Sequence, residues 1–313
     1  MKKGELEYRN GWKKSGIACN CPFDAVGNTP IMNIGKIHAK FEAFNITGSV
    51  KDRMVSYIIR KAEERGELKP GSTIIELTSG NTGVALAMVS SIRGYNFKAV
   101  MPESMSPERR KMIEAFGGEI ILTPAEEDME GSMRRYKELV KENPDAWLPR
   151  QFENPDNIEA HRLGLGQEII CQMKGKIDAF VAGIGTGGTI IGVAKALKEV
   201  NPNVKIIGVE PAESAVLNGK KQGLHKIQGI GEGFIPQIVK ENRHLIDEVI
   251  EVTSEEAIEM SEILARKRGL LVGISSGANL VAALRIEDRY ENIVTVLCDR
   301  GERYLSTTLF CRD

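Results

Sequence analysis

The sequence is short of the features that mark a membrane, secreted or nucleic-acid-binding protein. Aromatic residues make up 5% of its 313 positions, and no apolar run is long enough to span a bilayer. The 42 Lys and Arg residues are matched by 43 Asp and Glu residues, so a net charge of -1 leaves no basic surface for nucleic acid. The polar stretch Met1–Gly11 lacks the apolar core of a signal peptide. We therefore expect a cytoplasmic globular protein that binds neither membranes nor nucleic acid.

Cysteine is also scarce, with five residues scattered along the chain apart from Cys19 and Cys21. A small secreted protein held together by disulfides would carry more cysteines, in an even number. Cys19 and Cys21 could form half of a zinc site, but neither a second pair nor a histidine follows at the spacing of a zinc finger. The sequence predicts reduced thiols and no metal site.

Short apolar runs alternate with amphipathic helical patterns along most of the chain. Apolar strands separated by helices of about a dozen residues predict βαβ units and parallel sheets. The predicted strands are Thr73–Leu77, Lys98–Met101, Glu119–Leu122, Ala179–Ala182, Lys205–Val209 and Ile293–Leu297. The predicted helices are Lys51–Arg65, Pro107–Phe116, Ser132–Glu142, Asn157–Met173, Thr189–Val200 and Ser254–Lys267. Ligands of such folds bind beyond the carboxyl ends of the strands, so the loops that follow the strands are the candidate site.

Lys51 follows a turn made by Thr47, Gly48 and Ser49, with Ser49 as the expected N-cap of a helix. The helix macrodipole disfavours a cation in the first turn. A lysine at this position therefore has a reason to be neutral, which is the state that a Schiff-base nucleophile needs. Taken alone, the pattern favours an ordinary surface lysine at a helix start.

Two loops after predicted strands place small residues at a helix N-terminus, where free backbone N–H groups can hold an anion. The loop from Thr78 to Gly83 adds hydroxyls and an amide, and it suits an amino-acid carboxylate. The loop from Gly183 to Thr189 is richer in glycine and suits a phosphate monoester. Each loop by itself could also be a tight turn with an ordinary cap.

The glycine-rich loop has a second interpretation. Gly183, Gly185 and Gly188 satisfy the dinucleotide-binding fingerprint, and Glu210 follows about twenty residues later, after another strand. A nicotinamide-dependent oxidoreductase is therefore an alternative. This alternative leaves the Lys51 and Thr78 loops without a role.

Four loops together resemble the cysteine synthase and cystathionine β-synthase family of fold-type II pyridoxal-phosphate enzymes. They are Gly48-Ser49-Val50-Lys51-Asp52-Arg53, Thr78-Ser79-Gly80-Asn81-Thr82-Gly83, Gly185-Thr186-Gly187-Gly188-Thr189 and Gly273-Ile274-Ser275-Ser276-Gly277. The resemblance runs in order from about Val26 to Phe310. It implies a two-lobed α/β fold like that of tryptophan synthase β, with mostly parallel twisted sheets flanked by helices, and a homodimer. The stretches Met105–Arg110 and Cys298–Ser306 resemble the B isozyme of cysteine synthase.

The resemblance also implies a role for each matching residue. Lys51 would bind pyridoxal 5'-phosphate covalently and then move the α-proton of the substrate. Asn81 would hydrogen-bond the ring oxygen of the cofactor, and Ser275 would face its pyridine nitrogen. The phosphate would be held by Gly185, Thr186, Gly187, Gly188 and Thr189. The substrate carboxylate would be held by Thr78, Ser79, Gly80, Thr82 and Gln151.

The main reaction of the family is synthesis of cysteine from O-acetyl-L-serine and sulfide through an aminoacrylate intermediate, and this is the predicted function. Glu232 departs from the family pattern, because cysteine synthases often carry a small residue there. A carboxylate that faces the cleft would repel hydrosulfide and could act as a base toward a neutral nucleophile. The alternatives are a cysteine-consuming β-replacement or lyase that releases hydrogen sulfide, with water or a thiol as nucleophile, and a cystathionine β-synthase-like activity. Glu232 could equally point to solvent from a surface turn.

The resemblance divides the chain into three parts. Residues 1–41 would form an N-terminal arm and strands that join the larger lobe. Residues 42–156 would form a smaller, mobile lobe that binds the substrate carboxylate, and residues 157–313 the larger lobe that binds the cofactor phosphate. A third class of function, a catalytically silent relative that acts as a binding module, is disfavoured by the intact Lys51 and both anion loops.

Overall fold

A computed structural model describes residues 21–78, 80–307 and 309–310, without the side chains of Asp128 and Met129. Cys19 and Ser79 therefore lie outside the described residues. The strands are β1 (Ile31–Ile34), β2 (Ile37–Phe41), β3 (Thr73–Leu77), β4 (Asn96–Pro102), β5 (Glu119–Thr123), β6 (Ala179–Gly183), β7 (Lys205–Pro211), β8 (Glu248–Val252) and β9 (Ile293–Leu297). The helices are α1 (Lys51–Glu64), α2 (Asn81–Arg93), α3 (Pro107–Ala115), α4 (Asp128–Glu142), α5 (Pro155–Ala160), α6 (Gly166–Gln172), α7 (Gly188–Val200), α8 (Gln237–Asn242), α9 (Ser254–Arg268) and α10 (Ile274–Leu284).

The strands form two sheets. One has six strands in the order β1-β2-β9-β6-β7-β8, and the other has three in the order β3-β4-β5. Within the described chain every strand pair is parallel except the hairpin β1-β2. Strand β2 pairs with β9, so the beginning of the described chain lies beside its last strand. The predicted α/β class with mostly parallel sheets is confirmed.

All six predicted strands are present, and β3 and β9 have the predicted bounds. Strand β8 was not predicted, because its sequence Glu-Val-Ile-Glu-Val mixes charged and apolar residues at the edge of the sheet. The helix predicted over Asn157–Met173 is interrupted by a π-helical turn, His161–Leu165, between α5 and α6. The turn packs on α7, where a Cβ on Gly192 would lie 2.4 Å from the carbonyl oxygen of Ile158. This close approach between the two helices depends on tertiary packing, so the periodicity of the sequence could not predict the π-helical turn.

A buried ionic cluster holds the first turn of α1 in place. Arg53 donates to Glu168 over 2.7 Å and to Glu42, and Lys40 donates to Glu168 over 2.6 Å. All four residues are less than a tenth exposed, so two cations and two anions neutralise one another away from water. Because Arg53 lies two residues after Lys51, the cluster ties the start of α1 to β2 and α6.

In the part of the chain that the structure describes, the helices are too short or too polar to cross a membrane.

Candidate active site

A cavity of about 940 Å³, counting the part open to solvent, lies where the loops after β3, β6 and β9 meet. Two parallel sheets thus contribute the carboxyl ends of their strands to one cleft, as expected for this fold class. Twelve residues singled out from the sequence line it. They are Lys51, Thr78, Gly80, Asn81, Thr82, Gln151, Gly185, Thr186, Gly187, Thr189, Glu232 and Ser275.

Lys51 is the first residue of α1 and lines the cavity. The N-cap of the helix is Val50, one residue after the Ser49 that the sequence suggested, and Val50 already has helical backbone angles. The hydroxyl of Ser49 still accepts a hydrogen bond from the backbone N–H of Lys51, over 3.3 Å. Val50 donates to the carbonyl oxygen of Cys298 over 2.9 Å, which places Lys51 beside the end of β9.

The loop before α2 is held by its own threonine. The hydroxyl oxygen of Thr78 accepts hydrogen bonds from the N–H groups of Gly80 (3.2 Å) and Gly83 (3.1 Å). The hydroxyl of Thr82 donates to Oε1 of Gln151 over 2.8 Å, which joins two of the residues assigned to the substrate carboxylate. The structure therefore places Thr78, Gly80, Thr82 and Gln151 in one group.

The side chain of Asn81 is held by two residues that the sequence did not single out. Its Nδ2 donates to Oδ2 of Asp299 over 2.7 Å, and its Oδ1 accepts from Arg303. Asp299 is fully buried and also accepts from the hydroxyl of Tyr304, over 2.8 Å. Asp299 and Arg303 belong to Cys298–Ser306, the stretch that resembles the B isozyme. That resemblance was the only signal in the sequence that could have indicated them.

Glycines shape the loop that opens α7, because side chains and backbone crowd it from behind. A Cβ on Gly185 would lie 2.4 Å from the carbonyl oxygen of Gly229, and one on Gly188 would lie 1.9 Å from Oδ1 of Asn157. Gly187 has φ +89°, which favours glycine. The hydroxyl of Thr186 accepts from the N–H of Gly188 over 3.4 Å, and Gly187 at the N-cap has no side chain, so the next N–H groups of α7 are available to an anion. Gly188 itself is not among the residues that line the cavity.

Ser275 lies in the first turn of α10, buried against Cys298. Burial and the neighbouring Asp299 raise the pKa of the Cys298 thiol to about 12, while Ser275 and Lys51 lower it. Cys298 therefore remains a neutral thiol at physiological pH. It lines the cavity and was not among the predicted residues.

Glu232 lines the same cavity and is partly buried, so the interpretation of a solvent-facing surface turn is wrong. Burial raises the pKa of the Glu232 carboxyl, while Lys51 and His225 lower it. The ring of His225 contacts the carbonyl oxygen of Gly231 through Nε2, over 2.8 Å, and so supports the turn that carries Glu232. A carboxyl of raised pKa beside a lysine is a usual setting for a general base.

Arg109 is a further charged residue of the cavity wall, and the sequence did not predict it. Its guanidinium lies over the ring of Tyr304, 4.6 Å from the ring centroid, and donates to Gln228. A Cβ on Gly80 would lie 2.3 Å from Cδ of Arg109, so the arginine side chain passes directly over the Thr78 loop.

The geometry of Glu210 does not support a dinucleotide site. Glu210 is buried, and both of its carboxylate oxygens accept from the backbone N–H of Leu217, over 3.0 and 3.1 Å. Burial raises its pKa. Glu210 is absent from the residues that line the described cavity. The acidic residue of the fingerprint therefore stabilises the loop that follows β7 and is not available to a ribose.

The residues of the cavity fit pyridoxal phosphate. A phosphate fits the N-terminus of α7, where glycines leave room for it, and a lysine amine lies in the same cavity for the aldehyde group. The hydroxyl of Ser275 and the amide of Asn81 are polar groups on the same cavity wall, in reach of a ring between these two ends.

Comparison with known proteins leads to the same cofactor. The family model described as pyridoxal-phosphate dependent enzyme matches residues 22–299. A cysteine synthase from Staphylococcus aureus is 46% identical over 300 residues, which cover 92% of this chain and 96% of that protein.

Solved structures share the whole fold. A cysteine synthase from Entamoeba histolytica superposes with a TM-score of 0.90 at 39% identity, over 96% of this chain and 93% of that one. A hydrogen sulfide-producing enzyme from Fusobacterium nucleatum superposes with a TM-score of 0.86 at 43% identity, over 92% of this chain and 90% of that one. The predicted two-lobed, fold-type II architecture and the resemblance to cysteine synthases are confirmed.

Proposed function

The chain belongs to the family of pyridoxal-phosphate dependent enzymes, and on that premise we propose that it makes cysteine from O-acetyl-L-serine and sulfide. One observation carries the proposal. Lys51 shares a single cavity with the glycine-rich loop at α7 and with the Thr78 loop, so an amine, a phosphate site and a carboxylate site converge. The S. aureus cysteine synthase and the E. histolytica cysteine synthase support this choice of reaction.

Each group of residues has a distinct task in this proposal. Pyridoxal phosphate, when bound, supplies an electron sink that stabilises negative charge at the α-carbon of the substrate. Gly185 to Thr189 hold its phosphate, and Asn81 and Ser275 orient its ring. Thr78, Gly80, Thr82 and Gln151 bind the substrate carboxylate and so fix the α-carbon near Lys51. Ser79, for which the same role is proposed, lies outside the described residues.

Proton transfer falls to Lys51. Its Nζ would hold the aldehyde group of the cofactor and would then accept the α-proton of the substrate, after which acetate would leave from the β-carbon. The ionic cluster around Arg53 keeps the first turn of α1 in place, so the amine stays within reach of the α-carbon. General-base catalysis by a positioned side chain accounts for about 10²–10⁴-fold in rate.

We expect the substitution Lys51→Ala to reduce cysteine formation about 10³-fold or more, because both the cofactor linkage and the base are lost. The purified wild type should show a visible absorption band that borohydride bleaches, and the variant should not. Lys61→Ala, in the same helix, is the matched control, because Lys61 forms an i,i+3 ion pair with Glu64 at the surface. A colourless wild type, or a variant with unchanged activity, would contradict the proposal.

Glu232 supports a second candidate, a cysteine-consuming β-replacement that releases hydrogen sulfide. The carboxyl lines the cavity near Lys51, where it disfavours a hydrosulfide anion and can remove a proton from water or a thiol. The F. nucleatum enzyme, which is named for hydrogen sulfide production, supports this candidate. A cystathionine β-synthase-like reaction would use the same base with a thiol amino acid as the nucleophile.

The two candidates are separated by substituting Glu232. We expect Glu232→Gln to lower the release of sulfide from cysteine at least tenfold relative to synthesis from O-acetyl-L-serine, because the base is lost while the shape is kept. Both rates should be measured on the same enzyme preparation, with Glu241→Gln, at an exposed position of helix α8, as control. If the ratio of the two rates is unaffected, Glu232 does not select the nucleophile.

We also propose that the protein is a cytoplasmic homodimer and that residues 42–156 move as one lobe over residues 157–313. The three-stranded sheet lies wholly within the first range, and β1 and β2 join the six-stranded sheet. Large apolar side chains on the described surface, such as Phe44 and Leu305, are more than half exposed, which suits a subunit interface. The molar mass in solution tests the dimer.

A further inference from the structure

A buried carboxyl lies directly behind the proposed carboxylate site. Glu76 is the fourth residue of β3, and Oε1 of its side chain accepts a hydrogen bond from Nε2 of Gln151 over 3.1 Å. Gln151 in turn accepts from the hydroxyl of Thr82. All three side chains are at most 4% exposed, so they form one buried relay from Glu76 to the cavity wall.

Glu76 has no cation to balance a negative charge. No ion pair involves it in the described part of the chain, and its second oxygen, Oε2, is buried without a hydrogen-bond partner. Burial raises the pKa of Glu76 to about 8, although Gln151 and the backbone of Arg150 lower it. Near neutral pH the side chain is therefore mostly the uncharged acid, which can donate a hydrogen bond as well as accept one.

The elements packed around Glu76 supply few titratable groups. Tyr136, on α4, is close enough for Glu76 to contribute to the increase of its pKa, after burial. In the loop that leads to α5, Arg150 lowers the pKa of Tyr136 and Glu153 raises it. Because Tyr136 stays neutral well above pH 8, Glu76 is the group of this cluster whose charge changes near that pH.

The hydrogen bonds of Gln151 point away from the cavity when its Nε2 faces Glu76. The two hydrogens of Nε2 are directed to Glu76 and to the carbonyl oxygen of Leu77, the latter over 3.4 Å. The hydroxyl of Thr82 donates its hydrogen to Oε1 of Gln151. A substrate carboxylate, which only accepts, needs donors. Reversal of the amide turns Nε2 toward Thr82 and the cavity and frees the hydroxyl of Thr82, but Oε1 then faces Glu76 and needs a donor there.

We propose that Glu76 is a positioning residue for the substrate carboxylate: as an uncharged acid it donates to Oε1 of Gln151 and so holds the amide with its donors toward the substrate. The inference deepens the proposed function, because it rests on the carboxylate site at the Thr78 loop. The reversed arrangement also gives the buried carboxyl of Glu76 a partner for its proton. Ionised Glu76 can only accept, which returns the amide to the orientation that withholds donors from the substrate.

The consequence is a pH dependence in substrate binding and not in turnover. The acid form binds, so affinity falls as the pH rises through the pKa of Glu76. Replacing Glu76 by glutamine removes the titration and keeps a group that both donates and accepts. The ratio of KM for O-acetyl-L-serine in the wild type to KM in Glu76→Gln should rise about tenfold between pH 7 and pH 9, while the ratio of kcat stays flat. The ratio cancels every other titration that the two enzymes share, including that of the substrate amine.

The experiment measures both kinetic constants of the holoenzyme from about pH 6.5 to about pH 9.5, because a tenfold change in the ratio of acid to ionised Glu76 takes about one pH unit. Glu119→Gln, an exposed carboxylate on β5 of the same sheet, is the control and should follow the wild type. Gln151→Ala breaks the relay at its middle residue and should remove the same part of the pH dependence of KM, so it replaces Glu76→Gln as the reference if that variant fails to fold. A KM ratio that stays constant with pH, or a change confined to kcat, overturns the inference.

Calorimetric binding of L-alanine, which has no leaving group at the β-carbon, distinguishes this inference from the proposed function. Alanine affinity that weakens about tenfold from pH 7 to pH 9 in the wild type, relative to Glu76→Gln, supports the relay even if no cysteine is formed. Cysteine synthesis combined with pH-independent relative affinity overturns the relay alone.

Discussion

At the residue scale, Asn157 connects the two halves of the site from behind. Its Nδ2 donates to the backbone carbonyl of Gln151 over 2.8 Å and to the hydroxyl of Thr186 over 3.0 Å. It thus links the loop proposed for the substrate carboxylate to the loop proposed for the phosphate. Its position also explains why residue 188 is a glycine, because any side chain there would overlap the amide of Asn157.

We expect Gly188→Ala to weaken cofactor binding at least tenfold and to lower the free energy of unfolding by about 1–3 kcal/mol, the usual cost of overpacking a buried position. Titration with pyridoxal phosphate and denaturant unfolding measure the two effects. Gly164→Ala is the control, since a Cβ there would make only an ordinary 3.6 Å contact with Arg53. Equal effects of the two substitutions would contradict this account of the loop.

At the element scale, α9 supports the helix that carries Ser275. The hydroxyl of Ser261, in α9, donates to the carbonyl oxygen of Gly273 over 3.1 Å, just before α10 begins. A Cβ on Gly277 would lie 2.1 Å from the carbonyl oxygen of Ala257, so the two helices touch backbone to backbone. Disorder at the start of α9 would therefore also disturb the first turn of α10.

The N-terminus of α9 is closed by a capping box. Thr253 accepts from the backbone N–H of Glu256 over 3.2 Å, and the Glu256 carboxylate accepts from the N–H of Thr253 over 3.0 Å. We expect Thr253→Ala to lower the free energy of unfolding by about 1 kcal/mol, because the backbone N–H of Glu256 loses its partner. Chemical denaturation measures the loss. Thr253→Ser keeps the hydroxyl and should cost less than half as much, and equal losses would refute the role of the cap.

At the scale of the whole molecule, the ionic cluster joins the N-terminal hairpin, the helix of Lys51 and α6. Burial alone would raise the pKa of Glu168, but Arg53 and Lys40 outweigh it and lower that pKa to about 2. Because the folded pKa lies below the ordinary value of 4.5, the cluster stabilises the fold fully above pH 4.5. This contribution is lost as the pH falls from 4.5 toward 2.

We expect Lys40→Met to lower the free energy of unfolding by about 3 kcal/mol or more at pH 7, because Glu168 loses one of its two cations in a buried site. The difference between wild type and variant should narrow as the pH falls through the window of Glu168. Unfolding by denaturant at several pH values tests both statements. Lys205→Met, which removes an exposed ion pair with Asp247, should cost at most about 1 kcal/mol. If the difference in the free energy of unfolding between wild type and Lys40→Met does not change with pH, the stabilisation by the cluster does not depend on the ionisation of Glu168.

The sequence was sufficient for those parts of the fold and site that depend on local pattern. Strands β3 and β9 are apolar runs between turn residues, and the loops at Lys51 and Gly185 join such strands to helices. It was insufficient at β8, at the π-helical turn and at the N-cap of α1. There, the edge of a sheet, the packing of two helices or the tie between Val50 and Cys298 decided the local conformation.

The sequence by itself determined the class of fold, the loops that face the cleft and the lysine that begins α1, because periodicity, glycines and helix starts are properties of neighbouring residues. Only the tertiary structure decided that Glu232 lines the cavity, that Arg109 and Asp299 complete its wall, and that Glu76 lies behind Gln151. These residues are separated by tens to hundreds of positions in the chain. Their charges and hydrogen bonds acquire meaning only when two sheets bring them within a few ångströms of each other, where burial changes their pKa values and leaves few partners.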